Sequence, residues 1–199
     1  MKRESLLLMI FVLCLSIGFI GCNSKKKTRK AEIGTILENM PCEKEGKSDK
    51  NYFRAYSMSE SSNLQLSKEK ALTAAKQRLV TLINSNTKSV TDRYVNEREV
   101  GNASEFEQKF ENLTREVADE TISNIVVICE KTSVLENKKN KQSKQYRTFV
   151  SIQVAKEDVL SGMNNKISRD AKLQLDYDKK KFEEIFDQEM EKMAAERGY

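Results

Sequence analysis

The chain has 199 residues, 33% of them charged, a net charge of +5, and neither histidine nor tryptophan. Without histidine it lacks the commonest general base and zinc ligand, and with them every Ser-His or Cys-His nucleophile pair. Acids and bases are interspersed, which describes a salt-bridged surface better than a nucleic-acid groove, and seven glycines with one proline favour long helices over an all-β fold.

Met1 to Ser5 is short and basic, and Leu6 to Ile20 is an apolar run of signal-peptide length, short for a stable membrane span. It closes on Gly18-Phe19-Ile20-Gly21-Cys22, a small residue just before a cysteine. This resembles a bacterial lipoprotein signal, with Phe19 where leucine is usual. The likeness implies cleavage after residue 21 and lipid on Cys22, several acyl chains making a stable anchor. Residues 22–50 then read as the lipidated cysteine and a flexible tether, basic from Lys25 to Lys30. That basic run serves either as a contact with anionic headgroups or as a solvated spacer. Cys14 leaves with the signal peptide, Cys42 falls in the tether and Cys129 in a strand. Cys129 reads first as a buried free thiol, with a Cys42–Cys129 disulfide as the alternative in an oxidising envelope. No CxxC pair supports a metal or redox motif.

The folded domain is expected over residues 51–163. Tyr52 to Met58 alternates like a half-buried strand, and Ser59 to Asn63 breaks that period. Asn63 is placed to cap a helix whose stripe is Ala71, Leu72, Ala75, Leu79, Leu82 and Ile83. Polar Asn84 to Lys88 weakens the stripe, and Val90, Tyr94 and Val95 either continue the helix or start another. Asn102 and Glu105 form a capping-box pattern ahead of Phe106, Phe110, Leu113 and Val117, a second helix ending near Thr121. Ile125 to Cys129 is a β-branched run of the kind buried on both faces of a sheet. After an exposed loop, Tyr146 to Val154 alternates, so the two strands predict an antiparallel hairpin. Lys156 to Met163 suggests a short helix. Residues 164–199 then form a long charged helix with Ile167, Ala171, Leu175, Phe182, Phe186 and Met193 along one side and Asp178 interrupting them. It either packs back on the domain or projects towards a partner.

The predicted fold is therefore α+β: a three-stranded antiparallel sheet covered by helices on one face, in the order β-α-α-β-β-α. Candidate interaction residues are Lys138, Lys139 and Lys141 at the hairpin tip, and Lys180 and Glu184 on the last helix. No residue is assigned to catalysis, to a cofactor or to a metal. Asp176 with Asp178, and Glu183 with Glu184, are spaced so that they point to different sides of a helix.

Phe53-Arg54-Ala55, Ser59 to Leu64, the run Lys68 to Ala75 and the Tyr146–Val154 strand, together with the cysteine signal, resemble small bacterial outer-membrane lipoproteins of the LPP-twenty type. They also resemble the related first domain of a periplasmic flagellar assembly protein and, over the full length, lipoproteins of gut-type Bacteroidetes. Ser57-Met58-Ser59 departs from the glycines common in that family. The resemblance implies an envelope-anchored domain used for interaction or assembly, with no catalytic residue to carry over. The expected function is that of a non-catalytic lipoprotein of the bacterial envelope, most simply at the outer membrane, binding an envelope protein or a second copy and no nucleic acid. The alternative is a module that binds an acidic glycan, a cell-wall polymer or anionic lipid through the basic loop and tether.

Overall fold

The computed structural model describes residues 39–98, 102–136 and 144–197. Cys22, with the expected signal peptide, and Lys138, Lys139 and Lys141 lie outside them. Strand β1 (Tyr52–Ser61) leads into helix α1 (Leu64–Arg98) and helix α2 (Ala103–Thr121). Strands β2 (Val126–Glu136) and β3 (Lys144–Ala155) follow, then helices α3 (Lys156–Ile167), α4 (Ala171–Asp176) and α5 (Lys179–Arg197). The sheet is antiparallel in the order β1-β3-β2. This is the expected α+β class, with the last helical third divided into three helices.

β3 takes the middle, so its residues are buried on both faces: Val150, Ile152 and Val154 towards the helices, Phe149 and Ser151 on the other side. The expectation that the Ile125–Cys129 run is buried on both faces is not met. β2 is an edge strand, and Val126 and Val127 are 54% and 45% exposed. β-branched residues favour extended backbone, but which strand becomes central depends on pairing order.

Helix α1 runs unbroken for 35 residues, about 52 Å, through the polar stretch at Asn84 to Lys88. Its first half lies on the sheet and its second half on α2 and α5. Small residues make the first contact possible: Ala71 and Ala75 are fully buried, and Ser57 Oγ on β1 donates to the Ala71 carbonyl. Ser67 Oγ stands 2.9 Å from Thr148 Oγ1 and 3.0 Å from the Tyr146 carbonyl, so the buried hydroxyls are paired. Asn63 caps the helix as expected, its Oδ1 accepting the Leu66 amide at 3.0 Å. Asn102 does not cap α2 with its side chain, donating instead to Glu105 Oε2 at 2.9 Å.

Two aspartates explain why the last third is not one long helix. Asp170 Oδ1 accepts the amides of Lys172 and Leu173 at 2.9 and 3.1 Å, starting α4. Asp178 Oδ1 accepts the Lys181 amide at 3.0 Å, starting α5. Each aspartate satisfies amides that have no partner inside the new helix. α5 packs back on the domain, with Phe182, Ile185, Phe186 and Met190 fully buried. Its rings reach both layers: Phe182 lies 5.2 Å from Phe110 of α2, and Phe186 lies 6.2 Å, edge to face, from Phe53 of β1. Tyr94 joins α1 to this corner, donating to the Asp176 carbonyl at 2.8 Å and accepting the Asp178 amide at 2.6 Å. Residues 164–197 therefore share the core of the sheet domain, in contrast to a separate C-terminal segment.

Candidate functional site

The segment expected to be a loose tether up to residue 50 is in part a strap across the sheet. Residues 41–46 form a turn, and Cys42 is 2% exposed. Cys42 and Cys129 form a disulfide with their Cα atoms 5.5 Å apart, which corrects the reading of Cys129 as a free thiol. The spacing in sequence is uninformative here. What brings the two cysteines together is the β2–β3 register, which sets Cys129 opposite Ser151, whose Oγ donates to the Cys42 carbonyl at 2.5 Å. Cys42 itself sits at φ 64°, a left-handed conformation uncommon outside glycine. Further along, Gly46 lies so close to β1 that an added Cβ would overlap Tyr56 Cβ and stand 2.9 Å from Ser151 Oγ. The strap thus crosses from β2 over β3 to the outer side of β1.

There it closes the β1 edge. The Tyr52 carbonyl accepts the Asp49 amide at 3.1 Å, and the Tyr52 amide donates to Asp49 Oδ1 at 3.0 Å. Ser48 Oγ accepts the Arg54 amide at 2.8 Å and donates to the Arg54 carbonyl at 3.2 Å. Arg78 of α1 donates to the Tyr56 carbonyl at 2.6 Å. Successive outward positions of the strand are therefore occupied, as edge protection requires. Asp49 also holds Arg54 Nη1 at 2.6 Å. Burial pushes its carboxyl up, but the Asn51 amide and the Arg54 guanidinium outweigh that and hold it below its ordinary value.

Between the strap, β1 and α1 lies a groove of about 580 Å³. Ala55, Ala74 and Leu82 give it apolar walls, Gln77, Thr81 and Ser85 line it along α1, and its charged residues are Lys47, Arg54 and Arg78. Tyr56 also lines it, and its hydroxyl is buried without a hydrogen-bond partner.

The opposite edge is different. Among the described residues β2 has extensive contacts with β3 alone, and no side chain or loop bonds to its outer backbone. Val126, Val127 and Val134 are all about half exposed or more. The devices that blunt this edge are a bulge between Val127 and Cys129 and the exposed Lys131. Lys68 of α1 reaches Glu130 at 2.6 Å on the helix side.

The candidate residues on the last helix are also in view. Lys180 and Glu184 lie on the exposed side of α5, and Glu184 Oε1 accepts from Gln188 at 3.4 Å. Charges nearby tie α5 to α1: Lys181 reaches Glu97 at 2.8 Å and Arg93 reaches Glu189 at 3.5 Å. Glu183 bonds to Asn164 and Asp178 caps a helix, so the carboxylates near Glu184 have structural duties. Among the described residues no group of three or more Cys, Asp or Glu is arranged to hold a metal ion, and no helix is long and apolar enough to cross a membrane.

Ser48 and Asp49 fall within the expected tether, and the sequence expectations do not single them out. The available signal was Asp49 two residues before Asn51, whose amide it accepts at 2.8 Å in an Asx turn leading into β1. In comparisons with known proteins, no family model, no curated protein and no solved structure matches the chain.

Proposed function

We propose that this protein is a non-catalytic lipoprotein of the bacterial envelope, anchored through lipid on Cys22, whose α+β domain binds an extended segment of a partner protein along β2. The observation that carries the binding role is the β2 edge, which among the described residues offers an unpaired row of backbone donors and acceptors flanked by exposed valines. A partner strand added there extends the sheet beyond β2. The outer-membrane location and the LPP-twenty-type kinship belong to the same proposal, supported by the Gly21-Cys22 pattern and by the Cys42–Cys129 disulfide, a bond typical of oxidising compartments. With Lys138, Lys139 and Lys141 outside the described residues, the acidic-polymer alternative has no geometry of its own at that loop.

Photo-crosslinking in living cells tests the reading, with the probe placed at Thr132 or Val134 on β2 and, separately, at Lys180 or Glu184 on α5. Recurrent adducts to one envelope protein from the β2 positions are expected. Adducts from α5 alone would move the interaction to the terminal helix, and adducts from neither surface would defeat the protein-binding role.

A further inference from the structure

Four hollows among the described residues mix charges of both signs. Asp92 lies with Lys88, Asp170 with Lys109, Glu105 with Lys172, and Glu189 with Lys192. The groove beside β1 differs from these four, since the charged residues that line it are Lys47, Arg54 and Arg78. Asp49 pairs with Arg54 beside the groove and Lys47 has an interaction of its own, so the preference of this basic lining for anions rests on Arg78.

Arg78 gives that preference a direction. Its Nη1 is fixed on the Tyr56 carbonyl at 2.6 Å, and it forms no ion pair with a carboxylate among the described residues. Arg78 lines the groove, and its remaining guanidinium N–H groups are donors that a carboxylate can accept from. Arg54 is less available, since Asp49 already holds it. Shape narrows the ligand further. The α1 wall runs from Ala74 to Ser85, about 16 Å at the helical rise, a length that matches roughly five residues of extended chain. Hydroxyl and amide side chains at Gln77, Thr81 and Ser85 are spaced one turn apart along it.

We infer that this groove is a binding site for a short, extended acidic peptide segment, with Arg78 receiving a carboxylate and the α1 wall receiving the chain. The site lies on the opposite edge from the β2 surface and stands independently of it.

The test is a fluorescence-anisotropy titration of the full-length chain in mild detergent, disulfide intact, with a labelled Glu-Ala-Glu-Ala-Glu peptide. Saturable binding that weakens with added salt is expected, falling about tenfold in Arg78→Gln through loss of a charge-assisted pair. Thr81→Phe, an exposed position on the groove wall, is expected to block binding by filling the space while leaving the fold intact. Lys131→Gln on the other edge should bind as the parent does. The inference is overturned if the parent shows no saturable binding, or if Arg78→Gln and Thr81→Phe both bind normally. Binding of an oligogalacturonate in place of the peptide would overturn the peptide assignment and make the groove a glycan site. None of these outcomes touches the crosslinks from Thr132 and Val134, so the two readings fail separately.

Discussion

The two edges of this sheet are built in opposite ways. β1 is closed by groups brought from two directions: Ser48 and Asp49 from the strap, and Arg78 from α1. Among the described residues β2 has no group bonded along its outer backbone, and three of its valines are exposed. An edge strand is a template for pairing, and proteins normally blunt it. The disulfide makes the contrast sharper, because it fastens the strap to β2 without covering the edge of β2. The lesson is that edge protection here is local and specific. Among the described residues, a dedicated segment lies along one edge and none lies along the other.

The largest effect that would break this comparison comes from the strap's anchor. Replacing both Cys42 and Cys129 by serine removes a cross-link over 87 residues and is expected to lower unfolding free energy by about 2–4 kcal/mol in denaturant titration. Native-state hydrogen exchange should speed up at the Arg54 amide by more than at amides of β3. Equal acceleration across the sheet would mean that the strap does not close the edge.

Gly46→Val is next, since a side chain there must push the strap off Tyr56. A loss of about 1–3 kcal/mol is expected from overpacking, read in the same titration. Ser48→Ala removes two bonds to the Arg54 backbone and should cost roughly 1 kcal/mol, with faster exchange confined to the start of β1.

Acid gives a smaller effect on the same edge. Asp49 is held below its ordinary pKa in the fold, so its stabilisation is fully present above the unfolded value of about 4 and is lost as pH falls through the folded value. Exchange at the amides of Tyr52 and Arg54 should rise over that range in the parent, and Asp49→Asn should flatten the change. The smallest stability effect is expected on the open edge. Val127→Lys should alter unfolding free energy by no more than about 0.5 kcal/mol, yet abolish partner crosslinking from Thr132. A large loss of stability there would show that β2 is covered after all.

Much of the fold was legible because local rules decide it. The spacing of Phe106, Phe110, Leu113 and Val117 identifies α2 to its last residue, and Asn63 caps α1 as its side chain allows. The alternation from Tyr146 to Val154 is the core strand, and its pairing with β1 follows from the marginal stability of a lone hairpin. Asp170 and Asp178 are equally local signals, but the apolar stripe running past them suggests one helix. The candidate site was far less legible. Ser48, Asp49 and Cys42 look like linker because their duties are to residues far along the chain: Ser151 lies 109 positions from Cys42.

The sequence by itself determined the α+β class, the three strands and the stripes of α1 and α2, since periodicity and capping act over a few residues; on the last helical third the expected stripe fails at Leu175, which is 84% exposed. Only the tertiary structure decided that Cys42 meets Cys129, that α5 returns to the core, and that β2 lies at an open edge while β1 is plugged. The first and the last of these depend on which strand takes the middle of the sheet. That choice is made by non-local pairing and packing, and no run of neighbouring residues records it.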